Sequence, residues 1–203
     1  MMCYASRTGT RRNLAALRAA GWGLLVSRGG EWRTEGFARY VLDNGAWADF
    51  QAGRAFDADA FELLIDELGA GADWIVLPDI VAGGRASLEL SLRWSNRCLS
   101  CCPLVLIAVQ DGMQEPDLEH LVGRSVGIFL GGSTPWKLAN MARWGLFCAR
   151  HGVYYHVARV NTERRMWMAI AAGADSIDGS SASRYAETLP LLDRASRQAD
   201  LFA

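Results

Sequence analysis

The sequence predicts one α/β domain folded as a compact (β/α)8 TIM barrel, and two patterns carry that prediction. Eight short apolar runs alternate with segments of helical spacing, and the runs are hydrophobic throughout, as parallel strands covered on both faces must be. The second pattern is a polar residue at the end of nearly every run, where a barrel strand meets the face that carries an active site. A doubly wound open sheet is the alternative, since strand order cannot be read from sequence. No dinucleotide-type glycine fingerprint follows the first strand.

The elements follow in order. Residues 3–6 form a brief first strand, and 9–20 set Leu14, Leu17 and Ala16/Ala20 at helical spacing, with Gly21 as the stop. Residues 23–27 are the second run, followed by a Gly-rich turn and a segment, 31–39, too short for a helix. Residues 40–47 are read as the third strand, carrying Asp43, and Asp57 caps an amphipathic helix over 57–68. Residues 74–79 form a fourth strand ending in Asp79, with a helix over 84–101 behind it. The most apolar run, 104–110, ends in Gln110 and precedes a short helix over 115–122. Residues 126–130 lead into Gly131-Gly132-Ser133-Thr134-Pro135, where Thr134 is expected to cap a helix with Pro135 at its first position, running to residue 150. Residues 153–157 are the seventh strand, 162–172 a helix, 174–178 the eighth strand, and 185–199 a final helix. With no linker or low-complexity tract, residues 1–203 read as a single domain.

Composition narrows the class. A chain of 203 residues, 51% hydrophobic, can bury a core without staples. No window approaches a membrane-spanning run, and the early Arg7, Arg11 and Arg12 replace the apolar stretch of a signal peptide, so a cytoplasmic protein is expected. Cys98, Cys101 and Cys102 crowd together, but no second Cys or His pair stands at ligand spacing, so reduced structural thiols are expected, with no metal and no cofactor. A formal net charge of -1 argues against a protein covered in basic charge and leaves room for a local patch.

The strand ends carry Ser6, Ser27, Asp43, Asp79, Gln110, Gly131/Gly132, His156 and Asp178. One acid at a strand end can simply cap a turn. Three acids and an amide after buried runs point to a shared pocket, with Asp178 as the leading candidate for its chemical centre. An ionised carboxylate there can attack carbon, and one of raised pKa can pass protons. The Gly131-Gly132 turn either admits a ligand to the backbone and its free N–H groups, or is a tight turn before a capped helix.

The series Asp43-Asn44-Gly45-Ala46-Trp47, Asp79, Val109-Gln110, Gly131-Gly132 and Gly173-Ala174-Asp175-Ser176-Ile177-Asp178, with Arg184 beyond, resembles the tRNA-guanine transglycosylase superfamily. The compact chain is most similar to its DNA-acting relatives, which insert 7-deazaguanines. The resemblance implies base exchange through a covalent intermediate, with Asp178 as nucleophile and Asp43 as general acid/base. It further implies that Asp79, Gln110 and the Gly131/Gly132 backbone recognise the base. The family's tRNA enzymes carry a cysteine-rich zinc site after the nucleophile segment, whereas no Cys follows Cys148 here, so DNA or a smaller substrate is expected rather than tRNA. The third-strand motif also departs from the family's Ser/Gly/Gly/Phe form.

Arg7, Arg11, Arg12, Lys137, Arg159, Arg164, Arg165 and Arg184 are candidates for a phosphate-facing rim, with Arg159 and Arg184 foremost. Trp47 and Trp136 are placed to stack on an extruded base, while Trp74, Trp94 and Trp144 are expected in the core. His156 is expected to meet the sugar or a catalytic acid. Two further readings stay open: an N-glycosyl hydrolase using the same acid pair, and an inactive nucleobase-binding subunit that works with a partner protein.

Overall fold

The structure, a computed structural model, describes residues 1–7, 10–34 and 36–199. Eight parallel strands close into a barrel in sequence order, as expected. They are β1 Met2–Ser6, β2 Gly23–Ser27, β3 Tyr40–Asp43, β4 Ile75–Val76, β5 Val105–Val109, β6 Val126–Leu130, β7 Tyr155–Val157 and β8 Ser176–Gly179. Closure is made by β8 against β1, which sets Asp178 opposite Tyr4. The helices are α1 Arg11–Ala19, α2 Ala46–Gln51, α3 Ala58–Leu68, α4 Gly84–Leu99, α5 Thr134–His151, α6 Glu163–Ala171, α7 Ser181–Arg184 and α8 Thr188–Ala199. No helix among the described residues is long and apolar enough to cross a membrane.

Alternation along each strand explains how the site is built. Tyr4, Leu25, Val41, Trp74, Val76, Leu106 and Ala108 form one buried cluster inside the barrel, with Phe129 and Tyr154 packed on it. Their neighbours Cys3, Leu24, Leu42, Ile75, Val105, Ile128 and Ile177 belong to a second cluster, shared with the helices. Because side chains alternate with period two, the inner face continues from Leu25 to Ser27, Val41 to Asp43, Ala108 to Gln110 and Ser176 to Asp178. An apolar plug therefore grades into a polar mouth at the C-terminal end of the barrel.

Several boundaries differ from those read in the sequence. The third strand stops at Asp43, because Gly45 turns the chain at φ 81° and residues from Ala46 start α2, whose first two residues the sequence reading placed in the strand. The fourth strand is short, Ile75–Val76, with ladder hydrogen bonds reaching Trp74 O and Leu77 N, and Pro78, without an N–H, ends it. The helix expected over 115–122 reduces to a 3-10 turn, Glu115–Asp117, around Pro116. Ser133, not Thr134, is the N-cap of α5, and Asp111 holds that turn by accepting from Ser133 N and Oγ, each at 2.6 Å. The final helix begins at Thr188 rather than at 185, and a short helix the sequence reading did not assign, α7, precedes it across extended backbone at Tyr185. Thr10 caps α1, and the expected start of that helix at Gly9 lies outside the described residues. Cys98, Cys101, Cys102 and Cys148 are free thiols.

Candidate active site

A cavity of about 770 Å³ opens at the C-terminal mouth of the barrel, and Asp43, Asp79 and Asp178 all line it. The strand ends therefore bring the three predicted acids together. Gln110, Gly131, Gly132, Trp47, Arg159 and Arg184 line it as well.

Asp178, 6% exposed, is anchored through a single oxygen. His156 Nε2 lies 2.9 Å from Oδ1, and the backbone N–H of Arg159 donates to the same atom at 3.3 Å. No hydrogen bond to Oδ2 is made among the described residues, so that oxygen is the one open to a ligand. Arg159 reaches this position in the left-handed region, φ 56°, a conformation that costs a non-glycine residue about 1 kcal/mol or more.

Asp43 faces Asp178 across the mouth and is pushed up to about 6, first by burial and then by the Asp178 charge. The Ser27 hydroxyl, the Gly45 backbone and Arg28 oppose that shift. Ser27 is the Cα partner of Asp43 on the adjoining strand, so the register of β2 against β3 supplies this hydroxyl.

Asp79 is held by two amides. Asn44 Nδ2 donates to its Oδ1 at 2.7 Å, and Gln110 Nε2 to its Oδ2 at 2.5 Å. Asn44 is locked in turn, its Nδ2 also donating to Leu77 O and its Oδ1 accepting from Ala46 N, both at 2.7 Å. Burial nevertheless raises Asp79 to about 7, and Asp43 adds to the rise against the two amides and Arg159. Carboxylates near 6 and 7 exchange protons readily at neutral pH.

Other predicted residues take different places. Lys137 is 1% exposed and donates to the carbonyl of Ala158, which removes it from a phosphate-facing rim. Burial brings its ammonium down to about 7. His156 is fully buried beneath Asp178, so of its two expected partners it meets the acid and not a sugar. The Gly131 N–H is spent on Val109 O and that of Ser133 on Asp111, so the turn offers fewer free donors than expected. A Cβ on Gly132, at φ 72°, would lie 2.7 Å from Asp111 Oδ2 and 2.8 Å from the Trp136 ring, which makes this a packed turn. Arg11, Arg12 and Arg164 are exposed away from the cavity, and Arg7 pairs with Glu31 at 3.0 Å. Trp74 and Trp144 are core residues as expected.

At the rim, the Arg159 guanidinium lies over the half-exposed Trp47 ring, 4.2 Å from its centroid, and Trp47 stacks on Phe50 at 5.8 Å. Arg184 is exposed and lines the same cavity, its backbone fixed by buried Asn13, which donates to the carbonyls of Ser183 and Arg184. Arg28 was missed by sequence reasoning. It ion-pairs with buried Asp49 and donates to Asn44 O at 3.0 Å, bracing the turn that carries Asp43. The single-residue step from Asp43 to Asn44 was visible in the sequence, but the contact to Arg28 depends on α2, which was not.

No protein-family model matches the sequence, and neither does any curated protein. Solved structures do. QR15, an aldolase, aligns with TM-score 0.56 at 13% identity, over 94% of this chain and 94% of that one. Thiamine phosphate pyrophosphorylase from Pyrococcus furiosus aligns with TM-score 0.54 at 12% identity, over 98% and 96%. Phosphoribosyl anthranilate isomerase from Thermus thermophilus gives 0.52 at 12% identity, over 98% and 99%. At such identities the likeness shows the fold: this chain is a (β/α)8 TIM barrel of a kind that these enzymes share.

Proposed function

We propose that the protein is a transglycosylase that exchanges guanine in DNA for a 7-deazaguanine base. The observation that carries this reading is the acid pair in one cavity: Asp178, tethered through Oδ1 with Oδ2 open, and Asp43, poised near 6 across from it.

In the first displacement Asp178 Oδ2 attacks C1′ of the deoxyguanosine. The C1′–N9 bond breaks, its electron pair leaves with guanine, and protonated Asp43 supplies the proton that neutralises the departing base. In the second, Asp43 as carboxylate takes the N9 proton of the incoming deazaguanine, whose nitrogen attacks C1′ and expels Asp178. Two inversions at C1′ retain the configuration of the sugar. Asp43 has the pKa for both roles, because an acid near 6 gives and accepts protons at comparable rates around neutrality.

Asp79, ionised, is the acceptor for the N1–H and amino group of guanine. Each of its oxygens already takes one amide hydrogen and keeps a second lone pair for the base. In this arrangement Gln110, 1% exposed, holds Asp79 in place rather than facing the base. Trp47, with Arg159 against it, provides an aromatic face for an extruded base, and Arg159 and Arg184 provide cations for the backbone phosphates.

Incubation with guanine-containing DNA and isotopically labelled guanine tests this. Label entering the DNA is the expected result. Free guanine released without uptake would indicate a hydrolase using the same pair, and neither event, with DNA retained, would indicate a binding subunit.

A further inference from the structure

The buried group that the proposed chemistry leaves without a task is His156. It sits on β7 with Ser176 as its Cα partner on β8, and Asp178 follows two residues along the same inner face. One imidazole is thereby spanned at both nitrogens: Ser176 Oγ lies 2.7 Å from Nδ1, and Asp178 Oδ1 lies 2.9 Å from Nε2. The ring is also clamped. Phe129 stacks on it at 4.9 Å with 16° between planes, and Trp74 packs at 4.6 Å. A ring held this way cannot rotate, and its exposure is 0%.

The donor order follows from the partners. A carboxylate only accepts, so Nε2 carries the proton and donates to Asp178. The Ser176 hydroxyl can then donate to a bare Nδ1, which fixes the neutral Nε2–H tautomer. Burial favours that state by pushing His156 below its ordinary value, with the Lys137 charge adding to the effect and Asp178 opposing it.

We infer that His156, held as the neutral Nε2–H tautomer between Asp178 and Ser176, is the positioning residue of Asp178, holding Oδ1 so that Oδ2 alone is presented to the sugar. The inference rests on the reading of Asp178 as nucleophile. It gives the Asp178 carboxylate one orientation instead of several, and an ångström of misplacement at a reacting atom can cost about 10²-fold in rate.

The first test needs no substrate. Nitrogen-15 NMR of the imidazole in the native protein near neutral pH should show protonated Nε2 and bare Nδ1, and Asp178→Ala, which removes the acceptor on Nε2, should populate the second tautomer. A charged ring, or the Nδ1–H form in the native protein, would overturn the inference. The second test is kinetic. His156→Leu should lower the single-turnover rate of adduct formation by about 10²-fold with KM changed by less than about threefold, and His156→Gln, whose Nε2 can still donate to Oδ1, should recover about tenfold of that loss. Equal rates for the Gln and Leu variants, both folded, would refute positioning by hydrogen bonding. If the native protein forms no adduct with DNA, the transglycosylase reading fails, and the tautomer measurement still decides whether His156 holds Asp178 in the way described.

Discussion

The side-chain amide of Gln110 joins two strands' loops through both of its ends: Nε2 lies 2.5 Å from Asp79 Oδ2, and Oε1 accepts the N–H of Ala82 at 2.6 Å. Ala82 stands at φ 57°, so the amide also stabilises a backbone turn that few alanines adopt. The acceptor requirement at Ala82 fixes which end of Gln110 faces Asp79, and so makes Asp79 an acceptor site with its donors already assigned.

Replacing Gln110 with Leu should therefore raise the Asp79 pKa above its value of about 7, because a bond that favours the ionised form is lost. Guanine affinity at neutral pH should fall by about tenfold for each unit of that rise and recover in alkaline solution. Titration calorimetry across the pH range checks this; a uniform loss at all pH values would show that Gln110 itself binds the base. Stability should fall by about 1–3 kcal/mol, since the Ala82 N–H loses its acceptor.

Asp43→Asn should separate the stability cost of the site from its chemistry. A carboxyl whose folded pKa is raised to about 6 costs nothing below its unfolded value, and the cost grows as pH rises to the folded value. The Asn variant should match the native protein in melting temperature at acidic pH and be more stable, on the order of 3 kcal/mol, above pH about 7. Thermal unfolding at the two pH values checks the sign. Base exchange should be abolished at both.

Arg159 combines a strained backbone with a cation over Trp47. Arg159→Gly should be more stable than Arg159→Ala by about 1 kcal/mol, because only glycine adopts φ 56° without penalty. Both should weaken DNA binding alike and lower its salt dependence by about one phosphate contact, as measured by fluorescence anisotropy at several salt concentrations. Trp47→Ala should cost a further 1–3 kcal/mol or so of binding through lost stacking.

The polar mouth was legible because a parallel strand in a barrel is apolar until it reaches the C-terminal face, so Asp43, Gln110 and Asp178 stood out as endings. Asp79 was legible as an ending too, although it lies off the inward alternation from Trp74 and Val76 and reaches the cavity only through the turn after Pro78. Depth was not legible. Lys137 follows Pro135 by two positions and reads as a rim cation, yet the helix turns it beneath the β7–α6 loop, where one carbonyl receives it. The α2 helix was hidden because Ala46-Trp47 reads as a continuation of the run 40–42 beyond Asp43-Asn44-Gly45, and the positive φ of Gly45 is a fact of backbone and not of composition. With α2 went the braces Arg28 and Asp49, which need its first turn to meet.

The measurement that bears most directly on the central claim is capture of a covalent intermediate between the protein and guanine-containing DNA, with the attachment site read by mass spectrometry of the digested protein. The account predicts a deoxyribosyl ester on the peptide containing Asp178, one guanine released for each adduct, and no adduct from Asp178→Asn. An adduct on another residue, or label exchange at the native rate in the Asn variant, would contradict it.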